Sequence, residues 1–141
     1  MKKLLMCRCG DKWQDLAPLL LRLAIGVVFV AHGYQKVFDM GVGNFAGFLE
    51  QLSVPLPLFF AYVVSYVELL GGVALILGLL THWASKLLAI NMLAALFLVH
   101  ITKGIFVSNG GYEFVLVLLA GCFSLMIAGP GKWSVDTRFK E

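Results

Sequence analysis

Residues 16–38 read LAPLLLRLAIGVVFVAHGYQKVF, an apolar run whose first charged residue is Arg22 and whose polar end carries His32 and Lys36. A helix needs about 17–25 predominantly apolar residues to cross the hydrocarbon of a bilayer, and this stretch has them. A second run, LFFAYVVSYVELLGGVALILGLL at 58–80, encloses Glu68. Two more follow, from Ser85 to Thr102 and from Tyr112 to Ala128, the last opening beside Glu113. A chain of 141 residues that is 60% hydrophobic and 13% charged, with a mean hydropathy of +0.91, cannot hide its apolar surface in one water-soluble core. The expected fold is an all-α membrane protein, a bundle of four transmembrane helices over residues 16–129 between tails at 1–15 and 130–141.

Orientation follows from the basic residues. Lys2, Lys3, Arg8 and Lys12 precede the first span, Lys86 follows the second, and Lys132, Arg138 and Lys140 follow the fourth, against Lys36 and Lys103 on the other side. The positive-inside rule then puts both termini in the cytoplasm. The net charge of +3 reflects this topology, not affinity for nucleic acid. A cleaved leader is not expected, because the first apolar run exceeds the usual hydrophobic region of about 7–15 residues and contains Arg22.

Between the first two spans, Val42, Phe45, Phe48, Leu49 and Leu52 fall on roughly one side of a helix, predicting a short amphipathic interfacial helix on the outer surface. Pro55 and Pro57 should end it and lead into the second span.

A charge at the bilayer centre costs about 2.5–3.5 kcal/mol even on the lenient translocon scale, so Arg22, Glu68 and Glu113 should be paired or face a polar cavity. Helical spacing groups the polar and small residues into stripes: Arg22, Gly26, Phe29, Gly33 and Lys36 in the first span, Ala61, Ser65, Glu68, Gly71 and Gly72 in the second, and Glu113, Val117, Ala120, Ser124 and Ala128 in the fourth. Small residues let helices approach closely, so all three stripes are expected to face inward. Depth suggests that Arg22 reaches toward Glu68, while His32, Lys36, His100, Lys103 and Glu113 gather around a pocket opening to the outer side. Asn91, on the face of the third helix opposite His100, is expected to make an interhelical hydrogen bond.

Other chemistries find little support. Two histidines alone make a thin case for haem. Cys7 and Cys9 lack the further ligands of a structural zinc site, and Cys122 lies on the face away from Glu113. No phosphate-binding glycine loop, paired nucleophile and base, or ATPase motif occurs.

The order of motifs is more specific than any one of them. Arg22 and Gly26 lead to His32-Gly33-Tyr34-Gln35-Lys36. Glu68-Leu-Leu-Gly71-Gly72 and Leu77-Gly78-Leu79 follow, then His100 and Glu113. Gly129-Pro130-Gly131-Lys-Trp-Ser134-Val-Asp136 closes the pattern. From about Leu16 to Asp136 the chain resembles the DoxX family. That resemblance implies a bacterial inner-membrane protein with four helices and a link by name to quinone chemistry and to oxidative or thiol stress. It suggests a membrane oxidoreductase component with a bound quinone, whose candidate proton-handling residues are Glu68, Glu113 and His32 and whose substrate-binding residues are Arg22, Lys36 and His100. No metal is expected, and electrons would come from a partner subunit or a soluble donor. A non-enzymatic adaptor for a redox or stress-defence partner and a proton-coupled or small-solute transporter are the alternatives, and a homo-oligomer is compatible with each.

Overall fold

The computed structural model describes residues 16–139, so Cys7, Cys9 and the basic residues before Leu16 lie outside the described part. Among the described residues there is helix and no strand. Helix α1 (Leu16–Tyr34) runs on through a π-helical turn at Gln35–Asp39. A short α2 (Val42–Gln51) follows, then α3 (Pro57–Leu77). Helix α4 (Thr81–Ala95) passes into a second π-helical turn at Leu96–His100 and a 3₁₀ turn at Ile101–Lys103. Helix α5 (Glu113–Ala128) and the single turn α6 (Val135–Arg138) complete the chain. Three continuous segments, Leu16–Asp39, Pro57–Leu77 and Thr81–Lys103, are long and apolar enough to cross a membrane, and the apolar α5 has 16 residues.

Glycine sets the closest approach, between α1 and α3. A Cβ on Gly26 would stand 2.8 Å from the Gly72 carbonyl oxygen, one on Gly72 would stand 2.7 Å from Val30 N, and one on Gly33 would stand 2.7 Å from Leu69 Cα. These contacts are backbone against backbone, the use that small residues have where lipid offers no hydrophobic drive to association. The buried positions of α1 (Arg22, Gly26, Phe29, Gly33) and of α3 (Ala61, Ser65, Glu68, Gly72) follow the expected stripes.

The stripe expected on α5 does not face inward. Its core face is Val115, Leu118, Leu119, Gly121, Cys122 and Leu125, while Val117, Ala120, Ser124 and Ala128 are exposed. The physical reason is that Ser124 Oγ satisfies itself by donating to Ala120 O at 2.9 Å, so nothing polar on that face needs a neighbouring helix. Cys122 instead fills the core with Ile25, Leu75 and Leu88.

The turn between α3 and α4 is built from positive-φ residues. Gly78 (φ +67°) ends α3 in a Schellman motif, with Gly78 N donating to Leu75 O at 3.1 Å and Leu79 N to Ala74 O at 2.9 Å. Helix α4 starts at Thr81, before the expected Ser85, because a carboxylate from the far end of the chain caps it: Asp136 Oδ1 and Oδ2 accept from Leu80 N at 2.6 Å and Thr81 N at 2.8 Å. Pro57 stands in the first turn of α3, where its missing N–H costs no hydrogen bond.

Candidate functional site

Lys36 lies three residues beyond Gly33, where α1 and α3 are in closest contact, and Glu68 lies beside Leu69 on the facing helix. Side chains of a helix tilt toward its N-terminus, so Lys36 leans back along α1 to the level of Glu68, and the two form an ion pair. The pair is largely buried, with the Lys36 side chain 17% and the Glu68 side chain 5% exposed. Asn91 of α4 completes it by donating from Nδ2 to Glu68 Oε1 at 2.8 Å, which is the interhelical hydrogen bond expected of Asn91. Both carboxylate oxygens are therefore occupied, one by Lys36 and one by Asn91. The Lys36 ammonium also stands 5.4 Å from the centre of the Phe45 ring of α2, a cation–π distance that ties the short helix to the charge.

This triad forms one wall of a cavity of about 650 Å³. Its lining is otherwise mostly apolar, with Phe45, Phe48, Leu49 and Leu52 of α2 on one side and Leu98, Val99, Phe114 and Leu118 on others. Helix α2 turns Phe45, Ala46 and Leu49 inward onto Ala61 of α3, and thereby walls one side of the cavity. The titratable side chains that line it are His32, Lys36, Glu68 and His100. His32 stands beside Phe114, ring centres 6.0 Å apart. His100 Nδ1 lies 2.6 Å from the carbonyl oxygen of Gly110, holding the loop of residues 104–112 against the cavity.

Lys36 and His100 both sit in π-helical turns, closed by Met40 N to Gln35 O at 2.8 Å and by Ile101 N to Leu96 O. Such turns insert extra backbone per turn and re-aim the side chains that follow. This explains the correction to Asn91 and His100. Counted at 100° per residue, as in a regular α-helix, they fall on opposite faces, yet both line the same cavity because the π turn lies between them.

Three expected members of the site are elsewhere. Arg22 does not reach Glu68. It precedes Gly33 by eleven residues, about 16 Å of helix, and its side chain leans toward the N-terminus, away from Glu68. It is fully buried at the other end of the bundle, where one guanidinium nitrogen donates to Trp133 O and the chain 131–136 folds over it. Gly78 lies so close that any Cβ there would overlap the guanidinium, a second reason for glycine besides its positive φ. Ser134 Oγ donates to Gly131 O at 2.8 Å and Asp136 N donates to Gly78 O at 2.9 Å, so the segment is pinned to the α3–α4 turn. Glu113 is likewise absent from the cavity wall: its Oε1 accepts from Val107 N at 2.6 Å and organises the loop before α5. Lys103 is exposed and packs against Gly110 without lining the cavity. The apolar face of α2, led by Phe45, was legible in the sequence, with a lid as one of the roles it offered. Among the described residues, no group of three His, Cys, Asp or Glu side chains is placed to hold a metal ion.

The fold and site define an all-helical membrane protein with a buried ion pair in the wall of a mostly apolar cavity. The chain belongs to the DoxX family, whose model matches residues 17–101. It is 33% identical to the "Uncharacterized membrane protein Rv3486" of Mycobacterium tuberculosis, over 87% of this chain and 81% of that one. It is 35% identical to the "Putative oxidoreductase CatD" of Bacillus subtilis over 77% of each chain, and 29% identical to the "Inner membrane protein YqjF" of Escherichia coli over 89% of this chain and 93% of that one. No solved structure matches it.

Proposed function

We propose that this DoxX protein binds a quinone or a similar amphiphilic redox molecule in the cavity beside Lys36 and Glu68, as one component of a membrane oxidoreductase. The observation that carries this reading is a mainly apolar cavity of drug-like volume with a small set of convergent polar groups in its wall. The relative named "Putative oxidoreductase CatD" points the same way. Lys36 donates to an oxygen of the bound head and stabilises charge that develops there, while Glu68 and His32 exchange protons with it. His100 belongs to the binding set, and Asn91 holds Glu68 in position. Arg22 and Glu113 have structural duties instead. Electrons reach the site from a partner protein or a soluble donor.

The same reading sets the molecule in the bacterial cytoplasmic membrane with four spans, residues 16–129, and both termini on the cytoplasmic side. Lys86, Lys132 and Arg138 belong to the end of the bundle where Asp136 caps α4, and exposed Trp83 and Trp133 belong there too, the pattern of a cytoplasmic interface. Helix α2 then lies at the opposite interface as a cover over the cavity.

The test is a reduced-minus-oxidised optical difference spectrum of the protein purified in mild detergent, through the ultraviolet and visible. A stoichiometric quinone signal that falls in Glu68→Gln or His32→Ala supports the reading. A flat spectrum from folded protein that also fails to bind an added short-chain quinone overturns it and favours a non-enzymatic adaptor.

A further inference from the structure

The hydrogen-bonding character of the cavity wall selects among amphiphiles. The carbonyl oxygen of Gly110 can only accept, so His100 Nδ1 must carry the hydrogen between them. In the neutral ring the remaining nitrogen, Nε2, is then an acceptor. Lys36 supplies the opposite character: one of its three N–H donors goes to Glu68 and two remain. Its charge is already balanced, because among the described residues Lys36 and Glu68 are the only permanent charges in the wall and they contact each other.

We propose that the cavity is selective for the reduced, uncharged form of its amphiphile: a hydroquinone-type head, whose hydroxyl donates to His100 Nε2 and whose oxygens accept from Lys36. This rests on the amphiphile-binding reading above and sharpens it. The oxidised quinone presents two carbonyl acceptors and no donor, so it satisfies Lys36 and leaves His100 Nε2 unmatched in an apolar setting. A carboxylate head is rejected for a different reason. It would bring a second negative charge toward Glu68 where the one lysine is already neutralised, and an uncompensated charge in such a place is costly. The selectivity thus comes from two features on different elements: the π turn that brings His100 to the cavity and the loop carbonyl that sets its tautomer.

Equilibrium dialysis of the full chain in detergent micelles tests this with three probes of closely matched tail length: a decyl-benzoquinol kept reduced under anaerobic conditions, the matching decyl-benzoquinone, and decanoic acid. One hydrogen bond made by the quinol and not by the quinone gives a preference of roughly three- to tenfold for the quinol. His100→Phe should weaken the quinol alone and bring the two affinities together, and Ala95→Phe, which fills the cavity, should weaken both. The wild-type ratio needs no variant and is decisive by itself. If the quinone binds as tightly as the quinol, or decanoic acid more tightly, the selectivity proposed here is wrong, while binding that Ala95→Phe abolishes keeps the amphiphile reading. If neither ring compound shows binding sensitive to Ala95→Phe, both readings fall.

Discussion

The bundle holds two buried charged centres, and they differ in what completes them. Around Arg22 the partners are the protein's own backbone and capping groups: Trp133 O accepts from it, and Ser134 and Asp136 fasten the C-terminal segment to the turn between α3 and α4. Around Lys36 and Glu68 the partners are side chains from two further helices, Asn91 of α4 and Phe45 of α2, and the wall beyond them borders open volume. By sequence alone Arg22 and Glu68 look equivalent, each a lone charge in an apolar run. A charge inside a span therefore marks a polar constellation, and only the constellation's remaining neighbours tell whether it clasps the fold or faces a ligand.

That contrast can be broken by mutation, and the largest effect belongs to the ion pair. Glu68→Leu strands the Lys36 ammonium, and breaking a buried pair in this way costs about 3–5 kcal/mol. Unfolding in mixed detergent micelles should show that loss, and Glu68→Leu combined with Lys36→Met should regain much of it. A double variant as unstable as the sum of the singles would show that the pair is not coupled.

Next comes the hydrogen bond that orients the carboxylate. Asn91→Leu should cost about 1.5–3 kcal/mol, the range for a bond to a charged group, and weaken quinone or quinol binding along with stability. Unchanged binding would remove Asn91 from the site. At the clasp, Asp136→Ala removes the cap of α4 and should cost about 0.5–2 kcal/mol while leaving ligand affinity as in the wild type. A loss of affinity comparable to that of Asn91→Leu would erase the distinction between the two centres. The smallest effect sharpens it: Arg22→Leu and Glu68→Leu should combine additively, with a coupling below about 0.5 kcal/mol, as for sites that share no partner. A larger coupling would restore a direct link between Arg22 and Glu68.

How much was legible in advance varies by element. On α1 and α3 the buried faces follow from spacing, because Gly26, Gly33 and Gly72 must turn toward a neighbouring backbone to be useful. On α5 the same rule misleads, since Ser124 is content with its own helix and Leu118, Leu119 and Cys122 provide the packing. Lys36, His32 and His100 were readable as companions near one end of the bundle, and Asn91 as a hydrogen-bonding residue. Their grouping with Glu68 in one wall was not, because it needs the π turn before His100 and the backward lean of Lys36.

Hydropathy is a sum over neighbouring residues, so the sequence alone was enough to determine a membrane protein built of helices, the approximate extent of its long segments, and the family to which it belongs. What meets each charged side chain is a matter of distance between residues far apart in the chain. Asp136 meets Thr81, Lys36 meets Glu68, and Arg22 meets Trp133 only once the helices have packed. Tertiary structure made that choice, because an isolated buried charge is intolerable and the nearest compensating group in space is set by helix approach and side-chain tilt, neither of which a local pattern contains.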